Sequence, residues 1–205
     1  FIKIMIIPIE AYGSPVLKQK CKIITKDYPD LLKLIDDMFD SMYAANGVGL
    51  AAPQVSLSIR LFIIDTKAFS DNEESDLVPL KQVFINPKLL DESGDEWLFN
   101  EGCLSIPDIR EDISRRNTIK IEYFDENFKK YCKEFKGINA RVIQHEYDHI
   151  EGVLFIDKIS QLRKRMLKGK LNNIIKGNIE PAYRMKLSKW ESKWTVLFVN
   201  KINNF

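Results

Sequence analysis

An α+β fold is predicted for this chain, with antiparallel β-strands packed around a central buried helix, a second helix in the N-terminal half and a third near the C-terminus. Three patterns carry that prediction. Residues 117–124 alternate apolar and polar side chains, and Asp125-Glu126-Asn127 turns them into a second strand at 128–135, which is the signature of a hairpin and therefore of antiparallel pairing. Residues 137–151 are apolar nearly all round a helix, with Ile138, Ala140, Val142, Ile143, Tyr147 and Ile150 on different sides, so this helix must be covered on every side. Residues 30–46 and 160–176 show helical spacing with capping signals at their ends.

In chain order, residues 2–9 are apolar and β-branched but broken by Pro8, and read as an N-terminal strand or extended arm. Gly13-Ser14-Pro15 is a turn. Asp30 is the expected N-cap of the first helix, Leu31, Leu34, Ile35, Met38, Phe39 and Met42 its core face, and Asn46-Gly47 its stop. Residues 47–54 (GVGLAAPQ) leave that helix as a tight loop. Its glycines follow a helix, where a dinucleotide fingerprint needs a strand before and a helix after, so the segment reads as a loop or as backbone that lines a pocket and presents Gln54.

Residues 59–65 and 82–85 are strands. Between them, residues 66–81 contain the acidic run 71–76 and read as a surface loop. Ser93-Gly94-Asp95 marks a turn, and residues 101–105 (EGCLS) precede Ile106-Pro107. Gly152 stops the buried helix. Residues 154–156 are expected to be extended. Ser160 then caps a helix closed by Gly177. That helix carries Arg163, Lys164, Arg165, Lys168, Lys170 and Lys176 without an acid, and Leu162, Met166, Leu167 and Ile174 as its core stripe. Its basic side is either a solvated face or a docking surface for an anionic partner such as ribosomal RNA. Residues 181–205 follow Pro181 as a separate tail.

Composition narrows the function class. At 205 residues, 45% hydrophobic and 29% charged, the chain suits one globular domain. A net charge of +2 gives no global attraction to nucleic acid. No apolar run approaches the eighteen or so residues needed to span a bilayer. Three cysteines, Cys21, Cys103 and Cys132, are odd in number and widely spaced, which points to a reducing compartment and not to a disulfide framework. Cys21 lies in a surface-looking stretch and Cys132 in a hairpin strand, where a buried, inert thiol is expected. The chain opens on Phe1, which reads as a trimmed start.

The chemistry concentrates in residues 144–149 (QHEYDH), which hold the only two histidines of the chain. His145 and His149, four apart on a helix, share one face and can grip a single metal ion, while Glu146 can reach a water on it. A catalytic centre needs a third protein ligand. Downstream, Phe155 stands where one peptidase class has a third histidine, and the remaining glutamates are Glu151, Glu180 (against Pro181) and Glu191. Upstream, Cys103 is the natural donor, a thiolate being a strong ligand for Fe²⁺ or Zn²⁺.

Taken together, residues 47–54 (GVGLAAPQ), 101–105 (EGCLS) and 144–149 (QHEYDH) closely resemble the three motifs of peptide deformylases. The resemblance covers roughly residues 3–176 and departs in the acidic loop 66–81 and from residue 181. It implies a catalytic domain over 1–180 with an extension at 181–205. The implied reaction is hydrolysis of the N-formyl group from the formylmethionine of new polypeptides. It also implies that Cys103, His145 and His149 bind one divalent metal, Fe²⁺ natively with Zn²⁺, Co²⁺ or Ni²⁺ as substitutes, and that Glu146 moves the protons. The Gln54 amide and the Leu104 N–H would bind the oxyanion. The backbone of Val48 and Gly49, with Gly102, would hold the substrate main chain, and Ile138, Arg141 and Val142 would line the methionine pocket.

The expected partners are formylmethionyl nascent peptides and, through the basic helix, the ribosome; no membrane is implied and no oligomeric state is indicated. Deformylases serve bacterial-type translation, so the compartment is an organelle (plastid or mitochondrion) or the bacterial cytoplasm. The missing start methionine and the tail favour the organelle. Two other readings stay open: a metallopeptidase, which lacks its expected third ligand, and a structural metal protein, which would need a fourth.

Overall fold

One long hairpin sets the geometry of the molecule. In the computed structural model, which describes residues 5–70 and 78–187, β4 (Lys81–Cys103) and β5 (Ile106–Phe124) run antiparallel and are joined by a tight turn at Leu104-Ser105. Around them a five-stranded antiparallel sheet forms in the order β2-β3-β4-β5-β6, with β2 (Gly49–Ala51), β3 (Leu61–Asp65) and β6 (Lys130–Lys136). The acidic run 71–76, residues 2–4 of the predicted arm and the tail from 188 lie outside the described residues.

Much of this hairpin is longer than predicted. The ladder runs through Ser93-Gly94-Asp95, where the sequence suggests a turn. The reason is a bulge: the pairing slips between Ser93 and Glu96, and Gly94 takes φ +74°, where a Cβ would meet Asn117 Oδ1 at 2.1 Å. Residues 106–116, for which no strand is predicted, complete β5. Their charges conceal a period of two, with Ile109, Glu111, Ile113 and Arg115 buried and Asp108, Arg110, Asp112 and Ser114 exposed.

The helix α1 (Leu31–Ala44) packs Ile35, Met38 and Met42 against Leu50, Leu61 and Ile63. Asp30 does stand at its N-cap, but with φ 51° and no side-chain bond to the helix, so it does not cap. The central helix α2 (Gly137–Ile150) is buried as expected, Ala140, Val142, Ile143 and Ile150 packing on Phe62, Phe84, Ile121 and Tyr123 of the sheet. Residues 155–157 form a 3₁₀ turn and not an extended segment, the Leu154 N–H donating to Asp157 Oδ2 at 2.8 Å.

In α3 (Gln161–Lys176), Ser160 caps by accepting the Arg163 N–H at 3.3 Å, and Gly177 closes in the left-handed region. The core stripe is offset from the predicted one: Leu167, Leu171 and Ile174 are buried, while Leu162 and Met166 are exposed. Arg163, itself exposed, reaches across to clamp the buried Glu111 of β5 at 2.6 and 2.9 Å.

The chain beyond α3 is not separate where it is described. β7 (Met185–Lys186) pairs in parallel with β1 (Ile9–Glu10), the part of the predicted N-terminal strand that forms among the described residues. The cysteines also reverse their predicted roles. Cys21 is buried, its N–H bound to the Ile150 carbonyl at 2.8 Å, whereas Cys132 points outward from the edge strand β6. Among the described residues no helix is long and apolar enough to cross a membrane.

Candidate active site

Two elements meet to build the site: the buried helix α2, and the end of β4 where the hairpin turns. Helical spacing sets the His145 and His149 rings edge to face with centroids 5.2 Å apart. The turn brings Cys103 over them, its Sγ 3.2 Å from His149 Nε2, and the donor atoms of Cys103, His145 and His149 all lie within 4.8 Å of one another. A thiolate and two imidazoles are a donor set suited to Fe²⁺ or Zn²⁺, and three protein donors leave a position open, so these residues fit a catalytic divalent metal.

Behind His145 stands an ionic network. His145 Nδ1 lies 3.0 Å from Glu101 Oε2, which orients the ring so that its other nitrogen faces the centre. Glu101 receives Arg115 through two nitrogens at 2.7 and 3.0 Å and Arg141 at 3.0 Å. Arg115 also binds Asp148 at 2.6 Å. Burial alone would raise the Glu101 pKa, but hydrogen bonds from His145 and Arg115 hold it well below the usual carboxylate range.

Glu146 has the opposite surroundings. It is buried, its Oε2 has no hydrogen-bond partner, and the Gly49 backbone is so close that a Cβ there would meet Glu146 Oε1 at 2.4 Å. Burial pushes its pKa up to about 7. Gln54, presented by the 3₁₀ turn Ala52–Val55, accepts the Ala51 N–H on Oε1 at 2.9 Å. That bond fixes its orientation and turns Nε2 toward Cys103 Sγ at 3.6 Å and Ser105 Oγ at 3.3 Å.

A cleft of about 480 Å³ opens here. Of the residues singled out from the sequence, Val48, Gly49, Gln54, Gly102, Cys103, Leu104, Arg141, Val142, His145 and Glu146 border it. His149 lies beneath it, 1% exposed. Ile138 does not border it and packs instead against the apolar cluster under α2. Arg141 contributes to the wall, but its guanidinium is committed to Glu101, to the Ile113 and Trp97 carbonyls at 2.9 and 2.6 Å, and to the Trp97 ring face at 4.5 Å.

Sequence reasoning missed the roles of Glu101, Arg115 and Asp148. The available signal was Arg115 at the inward parity of β5, in step with Ile109 and Ile113. It also missed Pro181, Ala182 and Tyr183, which border the cleft from beyond α3.

A cysteine sulfur and a helix-borne histidine pair converging beside a buried, unpartnered carboxylate define a metal-dependent hydrolase. Comparison with known proteins gives the family. The profile described as polypeptide deformylase matches residues 6–165. The peptide deformylase of Christiangramia forsetii is 57% identical over 89% of this chain and 96% of its own length. That of Flavobacterium johnsoniae is 55% identical over 90% of this chain and 97% of its own. Among solved structures, a plant peptide deformylase aligns with TM-score 0.75 at 34% identity over 84% of this chain and 90% of its own. A Plasmodium falciparum enzyme aligns with TM-score 0.70 at 36% identity over 82% and 99%. The chain belongs to the polypeptide deformylase family, hydrolases that remove the N-formyl group from nascent peptides in bacterial-type translation.

Proposed function

We propose that Cys103, His145 and His149 hold one divalent metal in this deformylase and that Glu146 is its general base and acid. The observation that carries this reading is the Glu146 Oε2, buried without a partner beside the three donors. When bound, the metal supplies Lewis acidity and a water made acidic near neutral pH. Glu146, with its pKa near neutrality, takes the proton of the attacking water and returns one to the amine as the formyl C–N bond breaks, giving formate and a free N-terminus. The Gln54 Nε2, aimed by the Ala51 bond, and the Leu104 N–H donate to the oxygen that gains charge.

Substrate positioning follows from the walls. β2 is an edge of the sheet, paired only with β3 among the described strands, which supports addition of the substrate main chain alongside Val48 and Gly49, with Gly102 opposite. Val142 and Leu104 provide apolar surface for the methionine side chain, and Arg141 shapes the wall from below. Fe²⁺ is the proposed native metal, with Zn²⁺, Co²⁺ and Ni²⁺ as substitutes. Arg165, Lys168 and Lys170 stand exposed on α3 and support ribosome docking there. Residues 1–180 are the proposed catalytic domain. Bacterial relatives at 57% and 55% identity support a setting of bacterial-type translation, an organelle or the bacterial cytoplasm.

The test is formate release from a formyl-Met peptide by anaerobically purified, metal-counted enzyme. Release of formate with one metal per chain is expected. Cleavage of an unformylated peptide without formate would move the chain to the peptidase reading.

A further inference from the structure

After α3 the chain turns back to the cleft, and Pro181, Ala182 and Tyr183 form part of its wall. This return is fastened. The Ile9 N–H donates to the Arg184 carbonyl and the Ala11 N–H to the Lys186 carbonyl, both at 2.9 Å. Lys186 Nζ lies 3.0 Å from the buried Glu10, which also takes the Ser56 hydroxyl at 2.5 Å.

From this strand pair two bonds reach the catalytic turn. The Tyr183 hydroxyl donates to the Leu104 carbonyl at 2.7 Å, and the Tyr12 N–H donates to the Ser105 carbonyl at 2.8 Å. Both carbonyls of the two-residue turn are therefore held from outside the hairpin. The hairpin's own ladder is irregular there, its register shifting between Gly102 and Cys103. A donor stabilises developing charge only if its direction is set before the reaction.

We propose that Tyr183 is a positioning residue for deformylation, its hydroxyl fixing the peptide plane that follows Leu104 and so, through the Leu104 Cα, restraining the turn that carries the Leu104 N–H, which makes the chain beyond α3 part of the active site. This rests on the reading of Leu104 as an oxyanion donor. Tyr183→Phe keeps the ring and removes only the bond.

The experiment compares full-length, metal-loaded wild type, Tyr183→Phe, Tyr183→Ala and Arg184→Ala, measuring formate release, metal content and melting temperature. Losing one neutral hydrogen bond should lower kcat about fivefold in Tyr183→Phe and leave KM within about twofold. Metal content and melting temperature should match the wild type. Tyr183→Ala, which also removes the wall, should add a rise in KM for formyl-Met tripeptides, while Arg184→Ala behaves as wild type. An unchanged kcat in Tyr183→Phe, in an enzyme that releases formate, overturns the positioning role alone. So does a kcat loss matched by falling melting temperature, which is a structural role only. A wild-type enzyme that releases no formate overturns the deformylase mechanism and this inference together.

Discussion

Glu101 and Glu146 are each 4% exposed and belong to one site, yet their surroundings give them opposite chemistry. Glu101 is surrounded by donors, with Arg115, Arg141 and His145 all within 3.0 Å, and stays ionised. Glu146 has burial without compensation and an oxygen with no partner, which pushes its pKa up to about 7. Burial sets the cost of charge for both, and the partners decide which one keeps it. The comparison separates a carboxylate fixed by ion pairs from one left without a partner.

Breaking each side of this comparison should give a different failure. Glu146→Gln is nearly isosteric and touches no buried cation, so it should lower kcat by about 10²- to 10⁴-fold while metal content and melting temperature hold. Elemental analysis of the purified variant checks this, and metal loss would make Glu146 a ligand. Gly49→Ala attacks the same carboxylate from outside, since the new Cβ falls 2.4 Å from Glu146 Oε1. Displacing the base should cost about 10²-fold in kcat with the metal retained. A normal rate in that variant would show that the carboxylate works from another position.

Glu101→Gln should fail in stability and metal binding before rate. It leaves Arg115 and Arg141 without their buried carboxylate, a loss of about 3–5 kcal/mol in denaturant unfolding. It also loosens His145, which should weaken metal affinity by about 10- to 100-fold in a chelator competition. Equal metal affinity in Glu101→Gln and Glu146→Gln would erase the distinction drawn here. The smallest effect is expected at Cys132→Ala, which is exposed and should change stability by no more than about 0.5 kcal/mol. Cys103→Ala should by contrast lose most of its metal, and equal metal content in the two would remove Cys103 from the ligand set.

The candidate metal-binding helix was legible in the sequence because its spacing is local. His145, Glu146 and His149 lie within one helical turn and a half, and any helix there puts both imidazoles on one face. The elements built on strong periodicity, α1, α2 and the 117–135 hairpin, were legible for the same reason, as were Ser160 and Gly177 at the ends of α3. What the tertiary structure decided is which distant groups share a dielectric environment. Glu101 and Arg115 lie 14 residues apart in sequence, and only the bulged pairing of β4 with β5 brings Arg115 onto the Glu101 carboxylate that meets His145. Their charges, which in a local reading suggest a loop, are what conceals the strand. Cys132 is exposed because β6 ends the sheet, whereas Cys21 is buried because its segment packs against the end of α2. Tyr183 reaches Leu104 only because β7 finds β1, more than 170 residues away, and no local pattern records that pairing. Covalent spacing along one helix is written in the sequence; the partners that ionise a buried carboxylate or steer a turn are supplied by long-range packing.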